Sequence, residues 1–159
     1  MAEIVTASGA KIFIGPAVTS STDTTAEFAA LTWTEIGLVE NLGEFGDESS
    51  AVNFTALGDG RVRKAKGARD AGMLSLTVAH DPTDAGQAAL EAAEATNNKF
   101  AFKVVYPDRP VPTGTDGIDY FRALVMSKRK NVGSNDNVIR RTYSLGIDSQ
   151  IFSVNAASA

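Results

Sequence analysis

The sequence predicts a mainly β protein: an antiparallel β-sandwich or barrel with one flanking α-helix at about residues 84–96. Three observations carry this. Segments such as "SAVNFTAL" (50–57) and "GMLSLTVAH" (72–80) alternate apolar and polar residues, as strands with one buried and one solvated face do. Breaks rich in Gly, Pro, Asn and Asp separate such segments. One stretch alone, "DPTDAGQAALEAAEATNN" (81–98), has helical composition.

Taken in order, "AKIFIG" (10–15) alternates and stops at Gly-Pro, a first strand. "VTSSTDTTAE" (18–27) is small and polar, and reads as a loop. A second strand is expected around Trp33–Val39. In residues 50–57, Val52, Phe54 and Ala56 alternate with Asn53 and Thr55; in 72–80, Leu74, Leu76 and Val78 alternate with Ser75 and Thr77. The helix starts with Pro, Thr and Asp, and Asp84 with Gln87 has capping-box spacing. Its face is small, Ala85, Ala88, Ala89, Ala92 and Ala93, with Leu90 its one large apolar residue. "KFAFKVVY" (99–106), "DYFRALVMSKRK" (119–130) and "NVIRRTYSLGID" (137–148) supply later strands around an exposed Pro/Gly-rich connection at 106–117. Residues 127–141 fit a hairpin with its tip at Gly133–Asn137.

A chain of 159 residues is most simply one domain, residues 1–159. The expectation includes a flexible N-terminal arm at 1–9 and a long inter-strand loop at 58–72. There is no cysteine, which excludes disulfides and thiolate metal sites. No apolar run approaches the ~18 residues of a membrane span. The N-terminus lacks the basic and apolar regions of a signal peptide, so a soluble, cytosolic protein is expected.

Enzymatic chemistry finds little footing. A poised nucleophile needs an adjacent base, yet His80 is the single histidine; closing a strand, it reads as locally hydrogen-bonded. "GDESS" (46–50) and "TDGIDY" (115–120) lack the ligand spacing of a calcium loop. No enzyme activity, metal or cofactor is expected.

The charge pattern is more informative. Net charge is −4, but residues 1–59 carry nine acids against Lys11 alone. Arg61, Arg63, Lys64, Lys66 and Arg69 then fall within nine residues, spaced by glycines. A phosphate cradle fails: Gly58 and Gly60 lack the third glycine of G-x-G-x-x-G, "GRVRKAKG" lacks the Lys-Ser/Thr of a Walker loop, and both flanks read as strands. Nucleic-acid binding is favoured by five cations, but no aromatic interleaves them and the pI is near 5.0. A third reading is a docking arm, whose partner would be acidic. Residues 35–48 carry five acids and no base. A basic arm and an acidic patch on one chain allow head-to-tail self-association, which propagates as rings or filaments.

The chain resembles the tail tube proteins, or major tail proteins, of long-tailed, non-contractile bacteriophages. The matching features run in order over about residues 30–150. They are "LTWTEIGLVENLGEFG", "ESSAVNFTALGDGRVRKAKGARDAGMLSLTVAHDP", the Gly86-Gln87 pair opening "DAGQAALEAA", then "AFKVVYPD", "YFRALVMS" and "VIRRTYSLGIDS". The resemblance implies a β-sandwich with a flanking helix, and hexameric rings whose sheets join into an inner barrel. Those rings stack into a tube around a tape-measure protein, and the long loop, here 58–72, reaches a neighbouring ring. Partners would also include tail terminator and tail-tip proteins. Viral DNA would pass during ejection without specific binding, and no membrane is involved. The protein would reside in the virion tail after assembly in the host cytoplasm. On this reading Arg61, Arg63, Lys64, Lys66 and Arg69 face Glu44, Asp47 and Glu48 of another subunit. Asn53, Thr55, Ser75 and Thr77 are candidates for a polar, lumen-lining face. A related secretion-system tube or head–tail joining protein remains open, as does a small nucleic-acid-binding barrel.

Overall fold

A computed structural model describes residues 4–17 and 24–158. The expected N-terminal arm at 1–9 falls partly outside these, and so does the Ser/Thr-rich loop, whose residues 18–23 are not described. The main body is an eight-stranded antiparallel sheet ordered β2-β1-β7-β8-β9-β6-β3, with β10 paired to β8. Its strands are β1 (Lys11–Ala17), β2 (Thr34–Glu35), β3 (Val39–Asn41), β6 (Met73–Ala79), β7 (Phe100–Val105), β8 (Ile118–Asn131), β9 (Arg140–Ile147) and β10 (Phe152–Val154). Two further strands, β4 (Glu48–Thr55) and β5 (Val62–Asp70), form a separate two-stranded ribbon. The helices are α1 (Thr25–Ala29) and α2 (Ala85–Glu94).

The expected mainly β, antiparallel class is what forms. The main sheet is rolled, because β2 and β3 lie on its two opposite edges yet only Ile36, Gly37 and Leu38 separate them. The four steps from Glu35 to Val39 span at most about 14 Å, so the two edges must approach each other. Inside, Tyr143, Phe102, Phe121, Leu74, Leu76 and Leu145 are fully buried, with Phe102 stacked on Phe121 at 5.8 Å. They come from alternate positions of β6, β7, β8 and β9, as period-two burial requires.

Helix α2 covers the opening of the roll. Asp84 caps it, accepting from Gln87 N–H at 2.9 Å, which matches the predicted start. The second half of the capping box is absent. Instead the Gln87 side chain is buried and donates to the carbonyls of Gly37 (3.1 Å) and Ala79 (2.8 Å), while accepting from Asp81 N–H (3.1 Å). Asp84 also accepts from Gly37 N–H at 3.1 Å. Both backbone groups of Gly37, midway across the edge-to-edge crossing, are thus held by the first turn of α2. Gly86 lies so close to this crossing that a Cβ would sit 2.2 Å from the Glu35 carbonyl oxygen. The helix packs through Gly86, Gln87, Leu90 and Ala93, not through Ala85, Ala88 and Ala92, which are exposed. Helix geometry rather than alanine content selects the face.

Helix α1 was not expected. Thr24 accepts from Glu27 N–H and Glu27 returns to Thr24 N–H, a complete capping box, and Phe28 is buried against Tyr120 and Phe152. Trp33 donates to the Phe28 carbonyl at 3.0 Å. This second cluster covers the outer face of the sheet at β1, β7 and the start of β8.

Candidate assembly surface

The region expected to be a loop at 58–72 is mostly strand. β5 runs Val62–Asp70 and pairs antiparallel with β4 from Thr55↔Val62 to Glu48↔Asp70, with a bulge between Ser49 and Ala51. The connecting turn spans residues 56–61. Alternation was absent from "VRKAKGARD" because neither face is buried: of the strand's nine residues all but Gly67 are exposed. The ribbon makes nearly all of its contacts with itself. It is therefore an ordered projection, not an arm that lacks structure by itself.

Its register sorts the predicted cations, because residues directly opposite share a face. Lys64 lies opposite Asn53, Lys66 opposite Ala51 and Arg69 opposite Ser49. These three cations share a face with Asn53 and Thr55. The other face carries Val52, Phe54, Ala65 and Arg63, with Phe54 opposite Arg63. Arg63 is paired with Asp59 at 2.6 Å, and Arg61 sits at the end of the turn. Among the described residues Arg61, Lys64, Lys66 and Arg69 form no ion pair. Phe54 is 65% exposed and Val52 and Val62 are each 52% exposed. That apolar exposure on a projecting hairpin is a signature of an interaction site. The sequence reading had assigned Val52 and Phe54 to a buried face; no body element covers them.

The predicted acids lie at the ribbon's root. Between Gly43 and Gly46, both at positive φ, Phe45 turns inward onto Phe121 at 5.6 Å, leaving Glu44 exposed. Glu44 and Asp47 line a shallow hollow with Tyr106, Asp119, Ile151 and Ser153. Asp119 accepts from Tyr106 Oη at 2.5 Å and Ser153 Oγ at 2.6 Å. Burial, reinforced by Asp119, pushes the Tyr106 hydroxyl far above its usual range. No base lines this hollow. A second one places Asp47 beside Arg69, Asp70 and Asp148. Within one chain, then, Glu44, Asp47 and Glu48 sit at the base of the ribbon that carries the cations, and Lys64 and Lys66 lie farther out along it.

Asn53 and Thr55 are not on the same sheet as Ser75 and Thr77. The first two belong to the ribbon, the second two to β6. On the main sheet Ser75 is flanked by Ser144 and, beyond it, Ser127; Thr77 is flanked by Thr142 and then Arg129. A row of hydroxyls therefore crosses three strands on the outer face that α1 leaves uncovered. Thr142, Ser144 and Ser127 were legible only once the register was known. His80 does not find the local side-chain bond expected of it: its backbone N–H donates to Ile139 at 2.8 Å, but Nδ1 is buried with no partner among the described residues. Among the described residues no group of three or more His, Asp or Glu could hold a metal, and no helix is long and apolar enough to cross a membrane.

A family model described as phage tail tube protein matches residues 17–155. No curated protein matches the chain. Among solved structures, it is similar to the tail tube of SPP1, with a TM-score of 0.67, 14% identity, 96% of this chain and 80% of that one covered. It is also similar to a chain in the baseplate of the anti-feeding prophage, with a TM-score of 0.71, 9% identity and 98% of each chain covered. An Hcp protein aligns with a TM-score of 0.50 and 10% identity, over 92% of this chain and 98% of that one. At such identities these neighbours show the fold alone.

Proposed function

Since the chain belongs to the phage tail tube protein family, a structural and not an enzymatic family, we propose that its copies close into hexameric rings that stack into a tube conducting viral DNA during ejection. The tube would enclose a tape-measure protein before ejection and meet terminator and tail-tip proteins at its ends, within a virion tail assembled in the host cytoplasm. The observation that carries this reading is the ribbon. A hairpin with neither face packed on its own body, unpaired cations on one side and Val52 and Phe54 on the other, is costly in a solitary monomer. Against another copy both faces gain partners. Lys64, Lys66 and Arg69, with Arg61 and Arg63 nearer the tip, would lie across the root of a neighbour's ribbon, against the two acids nearest that root, Asp47 and Glu48.

A DNA conduit also has to release DNA, and each phosphate contact by a cation adds salt-dependent affinity. Cations held between subunits leave the bore free of them. The hydroxyl row of Ser75, Ser144 and Ser127 is the uncharged surface best suited to line it, with Thr77 and Thr142 beside it as far as Arg129; Asn53 and Thr55 would join it only if the ribbon continues that face.

Electron microscopy of the purified protein across a concentration series tests the reading. Rings or tubes with six-fold symmetry are expected. Changing Lys64, Lys66 and Arg69 together to glutamate should abolish them while the circular dichroism of the monomer stays unchanged. A wild-type chain that remains monomeric throughout, or normal tubes from the triple variant, would overturn it. Single reversals are a poor test, since one exposed pair contributes ~0–1 kcal/mol.

A further inference from the structure

The two hairpins lie at opposite ends of the molecule. β9 runs from Arg140, paired with Ala79 and Asn131, to Ile147, paired with Ala123 and bonded to Gly72. The ribbon joins β6 through Ala71 and Gly72, so its root is at the Ile147 end. The β8–β9 turn, residues 132–139, is at the other. Asp119, near the start of β8, lies at the root end as well, and Asp47 shares a hollow with Ile147 and Asp148. From Asn131 to Asp119 is twelve strand residues, or about 40 Å.

The β8–β9 hairpin has a composition its own body does not use. Val132 and Val138 are 56% and 55% exposed and Ile139 is 42% exposed. Three of its cations are satisfied: Arg140 pairs with Glu40, and Lys128 and Arg141 with Glu91. Arg129, opposite Thr142, and Lys130, opposite Arg141, are exposed and, among the described residues, form no ion pair. Three branched apolar side chains beside two unpaired cations make an anchor with a charged rim, the arrangement in which a docking surface concentrates its affinity.

We propose that this hairpin docks on a second copy of the chain, at that copy's ribbon-root end, with Arg129 and Lys130 against Glu44 and the Val132/Val138/Ile139 cluster against Phe45 and Ile151. The inference rests on the self-assembly reading. Complementarity selects the occupant: the root end offers a hollow with exposed carboxylates, no base, and Phe45 and Ile151 half-buried in its lining. Because donor and acceptor sit at opposite ends, the contact cannot close on its own chain. It is heterologous and repeats, as stacking requires. Each copy would then use two devices: the ribbon toward one neighbour and this hairpin toward another.

The test uses the full chain and a charge swap. Arg129→Glu with Lys130→Glu should raise the concentration at which assembly sets in by about tenfold or more, with monomer circular dichroism unchanged. Adding Glu44→Lys, which leaves Asp47 and Glu48 at the ribbon root unchanged, should restore assembly. Val132→Ser with Val138→Ser should weaken assembly without making it more salt-sensitive, whereas the charge variants change its salt dependence. Normal assembly of the hairpin variants would overturn this inference and leave the self-assembly reading standing. Failure of the swap to rescue would overturn the choice of partner surface. A wild-type chain that never assembles would remove the premise itself.

Discussion

The β4–β5 ribbon and the β8–β9 hairpin are both antiparallel pairs of long strands, and they differ in one respect. β9 alternates half-buried with buried residues along its whole length, whereas β5 is solvated on both faces. The difference shows that period-two hydrophobicity records what a strand packs on, not that it is a strand. β9 packs its inner side chains, Tyr143, Leu145 and Ile147, into the core of the rolled sheet. The ribbon has nothing of its own to pack on, so its apolar residues and cations are available to another copy. If that comparison is right, substitutions in the body should cost stability and spare nothing, while substitutions in the ribbon should spare stability and cost assembly.

The largest expected contrast is between two phenylalanines. Phe121 is fully buried between Phe102 and Phe45, so Phe121→Ala should lose about 3–5 kcal/mol of unfolding free energy in urea denaturation. Phe54→Ala on the ribbon should change it by no more than about 0.5 kcal/mol while suppressing tube formation. A large stability loss for Phe54→Ala would mean that the ribbon packs on its own body, and the comparison would collapse.

Next in size are the residues that keep the rolled sheet closed. In Gln87→Ala the buried carbonyls of Gly37 and Ala79 and the N–H of Asp81 lose their partner, and one stranded buried polar group costs about 1–3 kcal/mol. Gly86→Ala forces the crossing at Glu35–Ile36 away from the helix, for a similar ~1–3 kcal/mol. Both changes should lower the melting temperature of monomer and assembly alike. An unchanged melting temperature would show that the roll does not depend on this turn of helix.

The same contrast explains what the sequence made legible. Strands with one buried face, β6, β7 and β9, were readable from alternation, and so was the 133–137 turn, where Gly133 takes positive φ. The start of α2 was readable from Asp84. β5 was not, because a strand solvated on both sides has no apolar period, and a charged run with glycines looks like a loop. α1 left one local signal, Thr24 and Glu27 at capping-box spacing, inside a stretch otherwise polar enough to mask it. The predicted cations and acids were found as a charge pattern, but only the register shows that Lys64, Lys66 and Arg69 share a face and Arg63 does not. The small-residue composition of α2 suggested the wrong face, since Gly86 and Gln87 are selected by close approach and by buried carbonyls, neither of which hydropathy reports.

The smallest effect expected separates the cations of the two hairpins by pH. On β8–β9, Lys128 donates to Glu91 at 3.2 Å and Arg141 at 3.1 Å. The Lys128 hydrogen bond first, then that of Arg141, holds the Glu91 carboxyl below its ordinary value of 4.5. A carboxylate whose folded pKa is depressed contributes stability that is present above its unfolded pKa and is lost as pH falls through the folded one. Glu91→Gln should therefore lower the melting temperature near neutral pH. Because the Glu91 side chain is 40% exposed, the drop should stay below about 3 °C. The gap between wild type and variant should narrow once pH falls below about 4.5 and close at lower pH. Among the described residues Lys64, Lys66 and Arg69 have no such partner, so monomer stability of the Lys64/Lys66/Arg69 triple variant should follow the wild-type pH profile in this range. A gap for Glu91→Gln that persists unchanged at low pH would mean that Glu91 acts through packing rather than charge, and would remove the electrostatic half of the contrast between the two hairpins.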